Sequence, residues 1–115
     1  MQAFEVSQLL AECSQSGNAY LEFLRHPSLS AGIYMLPAGA VDPQEPHTED
    51  EVYYIVKGQG FIQVEDENRP VSAGSVVFVK ALAEHHFHSI TEDLAILVFF
   101  APAEYTNVLP PVSKS

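Results

Sequence analysis

The sequence predicts one all-β domain whose strands form an antiparallel sandwich or barrel. Stretches of alternating or β-branched residues recur at intervals of about ten residues, with Gly, Pro, Asn or Asp between them. The chain has 115 residues, 47% of them hydrophobic, which is enough to bury a core. We expect residues 1–18 to form an N-terminal helical segment, 19–102 the barrel and 103–115 a proline-containing tail.

The first element is predicted to be a short helix. Ser7 precedes a stretch of helical character and Gly17 follows it, so Ser7 is the expected N-cap and Gly17 the residue past the last turn. A helix of about two turns is marginal alone. Leu9, Leu10 and Cys13 are therefore expected to pack against the barrel.

Two strands are predicted next, in residues 19–26 and 29–36. Side chains alternate along the first of them, and the sequence His26-Pro27-Ser28 between the two favours a turn. The sequence Pro37-Ala38-Gly39 ends the second strand. These residues are predicted to form a hairpin.

The second half of the chain is predicted to alternate strands with turns. A strand from Val52 is apolar on both faces, the sequence Gly58-Gln59-Gly60 is predicted as a turn, and Glu67 to Pro70 as the next turn. Ser75 to Val79 and Leu94 to Phe100 are apolar and β-branched. Both are predicted to be buried strands.

Residues able to bind a metal lie in phase where the Val52 strand is expected to begin. Glu45, His47 and Glu51 are separated by two and four positions, and Pro46 favours extended geometry between them. In an extended chain these three side chains point to one face. Because the strand that follows is apolar on both faces, this face is expected to point into the interior.

A second stretch, from Gly74 to Ser89, places His85 on another short strand. Its side chain is in phase with Phe87 and can converge with the first row on one cation. His86 and His88 are expected to face away from His85. Glu49 and Asp50 are expected to be solvated loop residues.

Together the two stretches resemble the paired motifs of the cupin superfamily. The first motif, G-x5-H-x-H-x3,4-E-x6-G, matches in every spacing and has a glutamate in place of the first histidine: Gly39, Glu45, His47, Glu51 and Gly58. The second motif, G-x5-P-x-G-x2-H-x3-N, matches only at its glycine and histidine: Gly74, Lys80, Leu82, His85 and Ser89. The resemblance covers residues 30–102.

The resemblance implies a small antiparallel jelly-roll β-barrel with a metal inside. The implied ligands are Glu45, His47, Glu51 and His85. Gln44 is the alternative to Glu45, and Tyr53 and Phe87 share the phase of the ligands and are candidates for lining a pocket. A set of Glu and His ligands favours one divalent ion per subunit, Mn, Fe, Zn, Ni or Co, over Cu(I).

The amino-acid composition limits which kinds of binding partner are expected. Five Lys and Arg against fifteen Asp and Glu give a formal charge of -10, which disfavours nucleic acid and anionic membranes. The single cysteine, Cys13, has no internal disulfide partner, and the sequence has neither a long apolar run nor a signal-peptide pattern at its start. A cytoplasmic protein is expected.

Three interpretations of function are open at this point. The first is a metal-dependent enzyme of oxygenase, isomerase or lyase type that acts on a small organic molecule. The second is a non-catalytic barrel that binds a small ligand or senses a metal, and the third is a structural barrel with an empty pocket. Edge strands and the apolar stretch from Leu94 to Phe100 also predict a homodimer.

Overall fold

A computed structural model describes residues 1–108; the end of the predicted tail, with Pro110 and Pro111, lies outside the described residues. The protein is all-β with one short N-terminal helix, as the sequence predicts. Its elements, in chain order, are α1 (Val6–Ser16), β1 (Tyr20–His26), β2 (Leu29–Leu36), β3 (Asp50–Val64), β4 (Glu67–Ser72), β5 (Val76–Val79) and β6 (His85–Ala101).

The strands form one antiparallel sheet in the order β1-β2-β6-β3-β4, and β5 also pairs with β3. Glu51 near the start of β3 pairs with Phe100, whereas Val64 at its end pairs with His85. A straight strand would separate positions 51 and 64 by roughly 40 Å, at about 3.3 Å per residue. Yet the side chains of Glu51 and His85 approach within 2.8 Å. The sheet therefore curls back on itself and encloses the core.

The core is built from the inward side chains of the two long strands. Tyr53 and Ile55 of β3 and Phe87, Ile96 and Phe100 of β6 are all buried to within 2% exposure. Alternation of side chains along a strand explains why the odd positions around Tyr53 point inward. Outward neighbours such as Tyr54 are partly exposed. The interior is thus lined by the same strand faces that carry Glu51 and His85.

Helix α1 covers part of the outer surface of the sheet. Leu9 and Cys13 are buried against Ile33 of β2, as expected from the sequence. The helix ends at Gly17, which adopts the left-handed conformation with φ 76°. The predicted N-cap is wrong, because the N-cap is Glu5, two residues before Ser7, and its side chain makes no capping hydrogen bond. Within residues 1–108, no helix has the length and apolar character needed to cross a membrane.

Two predicted turns are corrected by the structure. Gly58 lies inside β3, where the pairing with β6 is irregular, and it is not part of a turn. Its φ is +101°, and an added Cβ would lie 2.2 Å from the carbonyl oxygen of Asp93, so the glycine permits a bulge against β6. The next turn falls at Glu65 and Asp66, and Pro70 lies in β4, an edge strand that needs no second partner.

The predicted strands in residues 19–26 and 29–36 agree with β1 and β2. The predicted separate strands at His85 and Leu94 are one strand, β6. The prediction that β5 is buried on both faces is wrong, because Val76 and Phe78 are 63% and 61% exposed. These two side chains lie on the outer face of the sheet, beyond the reach of α1.

Candidate metal centre

Three of the predicted ligands meet inside the curled sheet. His47 lies in the loop before β3, Glu51 is the second residue of β3, and His85 is the first residue of β6. Nε2 of His85 is 2.8 Å from Oε1 of Glu51, and Nε2 of His47 is 4.0 Å from the same oxygen. One ligand atom from each residue lies within 4.8 Å of the others. The arrangement places three donors around one point.

Three polar atoms of the Glu51 and His85 side chains have no hydrogen-bond partner among the described residues. Both carboxylate oxygens of Glu51 and Nε2 of His85 are buried and have no hydrogen-bond partner among the described residues, although two of these atoms are 2.8 Å apart. Nδ1 of His85 is 2.9 Å from the carbonyl oxygen of Ala83, which makes Nδ1 the protonated nitrogen of the neutral ring. In the neutral ring, a lone pair on Nε2 of His85 then faces a lone pair on Oε1 of Glu51. A divalent cation between them satisfies all three atoms, so the residues fit a metal.

The two histidines have opposite electrostatic surroundings. Burial lowers the pKa of His47 and outweighs the opposing effect of Glu51. Burial also acts to lower the pKa of His85, but the adjacent Glu51 carboxylate and the Ala83 carbonyl outweigh it, and the pKa of His85 is raised. In the absence of a metal, a proton on His85 is therefore the competing way to neutralise Glu51.

The structure does not bring Glu45 into this cluster. Its side chain is exposed, in a loop that precedes the first residue of β3, Asp50. The phase argument assumed extended strand geometry from residue 45 onward, and the chain is not a strand there. Gln44, the alternative, points inward: its Oε1 is 3.2 Å from Nε2 of His47 and 2.9 Å from the hydroxyl of Tyr53. The amide oxygen of Gln44 is therefore closer to Nε2 of His47 than Oε1 of Glu51 is, at 3.2 Å against 4.0 Å.

Glu49 differs from its prediction as a solvated loop residue. It is 1% exposed, and its carboxylate accepts hydrogen bonds from Thr48 Oγ1 and from the backbone N–H groups of Tyr105 (2.7 Å) and Asn107 (2.8 Å). Burial acts to raise the pKa of Glu49, but these donors outweigh it and the pKa is lowered. Asp50 is exposed, as predicted, but it is the first residue of β3 and not a loop residue, and its Oδ1 accepts a hydrogen bond from the N–H of Ala81 at 2.8 Å.

Glu104 is a site residue that the sequence analysis missed. It lies after the last strand, in residues assigned to the tail, yet it is 7% exposed, and its Oε2 is 3.5 Å from Nδ1 of His47. Burial, followed by the negative charges of Glu22, Glu51 and Glu49, raises the pKa of Glu104 to about 7. No local sequence pattern marks it, because its burial depends on contacts with distant strands.

A cavity of about 170 Å³ lies beside His47. Five aromatic side chains line it: Tyr20, Tyr34, Tyr53, Phe100 and Tyr105. Gln44, His47 and Glu104 supply its polar wall, and no Lys or Arg lines it within the part of the chain that the structure describes. The hydroxyl of Tyr20 is buried without a hydrogen-bond partner in that same part. The cavity therefore offers aromatic walls and an unused hydroxyl next to the cluster.

The structure also places the other residues that the strand phase had singled out: Tyr53 and Phe87 point inward, and His86 and His88 point outward. Tyr53 lines the cavity, whereas Phe87 is fully buried in the core, with its ring 4.9 Å from that of Tyr53. Phe87 supports the cavity wall from behind. His86 is exposed and His88 bonds to Asn68 at 2.6 Å, so both face away from His85.

Comparison with known proteins identifies the family to which this fold belongs. The family profile described as "Cupin domain" matches residues 32–100, which include His47, Glu51 and His85. An uncharacterized protein from Streptomyces coelicolor is 48% identical over 104 residues, which are 90% of this chain and 99% of that protein.

Two solved structures show the same fold. KdgF from Halomonas sp. has a TM-score of 0.66 and 24% identity, with 72% of this chain and 76% of that chain covered. DMSP lyase DddQ from Ruegeria pomeroyi DSS-3 has a TM-score of 0.63 and 26% identity, with 66% of this chain but only 39% of that chain covered. The match to residues 32–100 spans more than half of the sequence, and the chain belongs to the cupin family.

Proposed function

We propose that this protein binds one divalent metal ion through His47, Glu51 and His85 and acts with it on a small organic molecule. The observation that carries the proposal is the set of buried, unpartnered atoms, both oxygens of Glu51 and Nε2 of His85. An unpaired buried carboxylate is costly to a fold. A bound cation removes that cost and explains why the three side chains converge.

The ligand set favours certain ions. Two neutral imidazoles and one carboxylate suit Mn, Fe, Zn, Ni or Co, and imidazole is a common ligand for most of these metals. Three protein ligands leave a position open for water or substrate. When bound, such an ion supplies Lewis-acid polarisation of an oxygen atom on the substrate.

The volume and lining of the cavity limit the size and chemical class of the substrate. Its volume of about 170 Å³ is well below that of a site for a drug-sized ligand. Val98 and Phe100 exclude water from one side, and the hydroxyl of Tyr20 is available to hydrogen-bond a polar atom of the ligand. Without Lys or Arg in the described lining, an anionic group has only the metal and the hydroxyls to bind it. The fitting class is a small molecule with one or two oxygen donors.

The reaction is proposed to be of lyase, isomerase or oxygenase type. One structural neighbour is a DMSP lyase, which supports lyase chemistry on this fold, although this chain spans only 39% of that protein. The alternative is a non-catalytic barrel that binds a small ligand or senses a metal. Burial raises the pKa values of Tyr20 and Tyr53, so these side chains act as hydrogen-bond donors and not as bases.

The metal assignment is tested by elemental analysis of protein purified without an affinity tag. We expect about one metal ion per subunit in the wild type and almost none in His47→Ala and His85→Ala. His86→Ala is the matched control, because His86 lies next to His85 on β6 but is exposed. A wild-type metal content in both of the first two variants overturns the proposal.

A second experiment tests whether the bound metal is open to a substrate, as the enzyme proposal requires. The Co or Fe form is titrated with a bidentate oxygen ligand, such as a diketone or a hydroxy acid, and its spectrum is followed. A spectral change in the wild type that is lost in His85→Ala shows open positions at this site. No change in the metal-loaded wild type means that the metal is closed to substrates, and the enzyme proposal then fails.

We also propose that the protein is a homodimer formed through the outer face of β5 and β3. Val76, Phe78 and Tyr54 are exposed there and offer an apolar and aromatic surface that a second copy would cover. Light scattering of the wild type and of Phe78→Asp tests this. A dimer mass that falls to the monomer mass in the variant is expected, and a wild-type mass near 12.6 kDa contradicts the proposal.

A further inference from the structure

We infer that Glu104 is a positioning residue for His47: it accepts a hydrogen bond from Nδ1–H and thereby holds Nε2 toward Glu51. This inference rests on the proposed metal site. Oε2 of Glu104 is 3.5 Å from Nδ1 of His47, while the other ring nitrogen, Nε2, lies 3.2 Å from Oε1 of Gln44 and 4.0 Å from Oε1 of Glu51. The ring therefore lies between two carboxylates. An outer carboxylate that fixes the tautomer of a ligating histidine is a recurrent arrangement in metal sites.

The second histidine shows the same arrangement. Nδ1 of His85 is 2.9 Å from the carbonyl oxygen of Ala83, and Nε2 faces Glu51. Each ring thus has an acceptor at Nδ1 and the shared carboxylate at Nε2. The acceptor is a backbone carbonyl in one case and a side chain from outside the sheet in the other. The carbonyl oxygen that the loop of His47 places beside the ring, Oε1 of Gln44, lies at Nε2, so among the described contacts Glu104 is the acceptor at Nδ1.

The backbone holds Glu104 in place on the side of β1 and β2. Its N–H donates to Ser30 Oγ at 2.9 Å, and its carbonyl oxygen accepts from Arg25 Nη2 at 2.8 Å. Ser30 is fully buried. These bonds fix the position from which the carboxyl group reaches His47.

Glu49 holds the next residues in place on the side of the metal centre. It accepts hydrogen bonds from the backbone N–H groups of Tyr105 and Asn107, and Asn107 Nδ2 also reaches the carbonyl oxygen of Thr48 at 3.4 Å. Thr48 and Glu49 directly follow His47 in the chain. The loop that carries His47 and the segment that carries Glu104 are therefore fixed relative to each other.

The role does not depend on the charge of Glu104. A neutral carboxyl group keeps an acceptor oxygen, so Nδ1–H has a partner in either protonation state. A glutamine side chain offers an acceptor oxygen of similar reach, whereas leucine has similar size and no acceptor. This difference provides a conservative variant and a disruptive one at the same position.

The first test uses the metal-free protein and the ¹⁵N chemical shifts of the His47 ring. We expect the Nδ1–H tautomer in the wild type and in Glu104→Gln, and a mixture of tautomers in Glu104→Leu. Glu92→Leu is the control, because Glu92 is exposed on β6, away from the site. The Nε2–H tautomer in the wild type overturns the inference, whether or not the variants fold.

The second test is metal affinity, measured by competition titration with Zn or Co. An outer-shell partner contributes about 10- to 100-fold to metal affinity, so Glu104→Leu is expected to lose that factor and Glu104→Gln much less. Equal affinities in Glu104→Leu and the wild type contradict the inference. If the wild type binds no metal, the proposed function fails, while the tautomer measurement still decides the role of Glu104.

Discussion

Glu49 and Glu51 lie two residues apart, are both 1% exposed, and differ completely in their surroundings. Glu49 accepts three hydrogen bonds and connects the start of β3 to the residues that follow β6. Glu51 accepts none among the described residues and faces two histidines. The same residue type at the same depth is structural in one place and a candidate metal ligand in the other.

The difference teaches that burial alone does not identify a ligand. A buried carboxylate is tolerated when its oxygens are satisfied, as those of Glu49 are. Unsatisfied oxygens point to a group that completes them, and at Glu51 the facing histidines indicate a cation. Substitutions at the two glutamates should therefore affect different properties of the protein.

Glu51→Gln is expected to have the largest effect, the loss of metal binding. The substitution removes the one anionic ligand that both histidines face, and a neutral amide oxygen is a weaker ligand for these ions. Titration with Zn or Co measures the loss, and Glu49→Gln should keep most of the affinity. Retention of wild-type affinity in Glu51→Gln would erase the distinction between the two glutamates.

Glu49→Ala is expected to destabilise the fold by about 2 to 3 kcal/mol, because two backbone N–H groups and the Thr48 hydroxyl lose a charged acceptor. Denaturant unfolding of the metal-free protein measures this cost. At a pH above the raised pKa of His85, where that ring is neutral, Glu51→Gln should show no loss, since it removes an unpaired buried charge. A Glu51→Gln variant that is less stable than Glu49→Ala would reverse the assignment of roles.

Much of the fold could be predicted from local patterns. Alternation and the Pro27 turn predicted β1 and β2 correctly, and Gly17 marked the end of α1. Gly58 was mistaken for a turn residue because a glycine with positive φ serves both turns and bulges. Only the close approach of Asp93, which is distant in sequence, distinguishes the two.

The site was predictable only where the chain is regular or matches a motif. The spacing placed His47, Glu51 and His85 together, as the structure does, whereas Glu45 lies exposed outside the group because the strand begins later than the phase argument assumed. Glu49 and Glu104 become buried through contacts between residues more than fifty positions apart. A single sequence carries no local signal for such contacts.

In the metal-free protein, Glu49 and Glu104 should change the free energy of unfolding in opposite directions as the pH changes. Because the pKa of Glu49 is lowered in the folded protein, Glu49 stabilises the fold at a pH above its pKa in the unfolded chain. This stabilisation is lost as the pH falls through the pKa of the folded state. The pKa of Glu104, raised to about 7, contributes stability at low pH that is lost as pH rises from about 4.5 to 7, and the raised pKa of His85 acts in the same direction.

Thermal unfolding across this range is therefore expected to show a maximum at mildly acidic pH. The decline due to Glu104 as the pH rises from about 4.5 to 7 amounts to no more than about 3.4 kcal/mol, at 1.36 kcal/mol per pKa unit. Glu104→Gln should flatten that side of the curve, and Glu49→Gln should flatten the acidic side. A curve that Glu104→Gln leaves unchanged between pH 5 and pH 7 contradicts the expectation.

Among these substitutions, Glu45→Ala is expected to have the smallest effect on stability and on metal binding. Glu45 is exposed, whereas Gln44 beside it contacts both His47 and Tyr53. Removing a solvated carboxylate outside the cluster should leave stability within about 0.5 kcal/mol and metal preference unchanged. Gln44→Ala should instead alter metal affinity, because it removes an oxygen next to the ligating ring. A competition titration in which Glu45→Ala changes the preferred metal, and Gln44→Ala does not, would restore Glu45 as the fourth ligand.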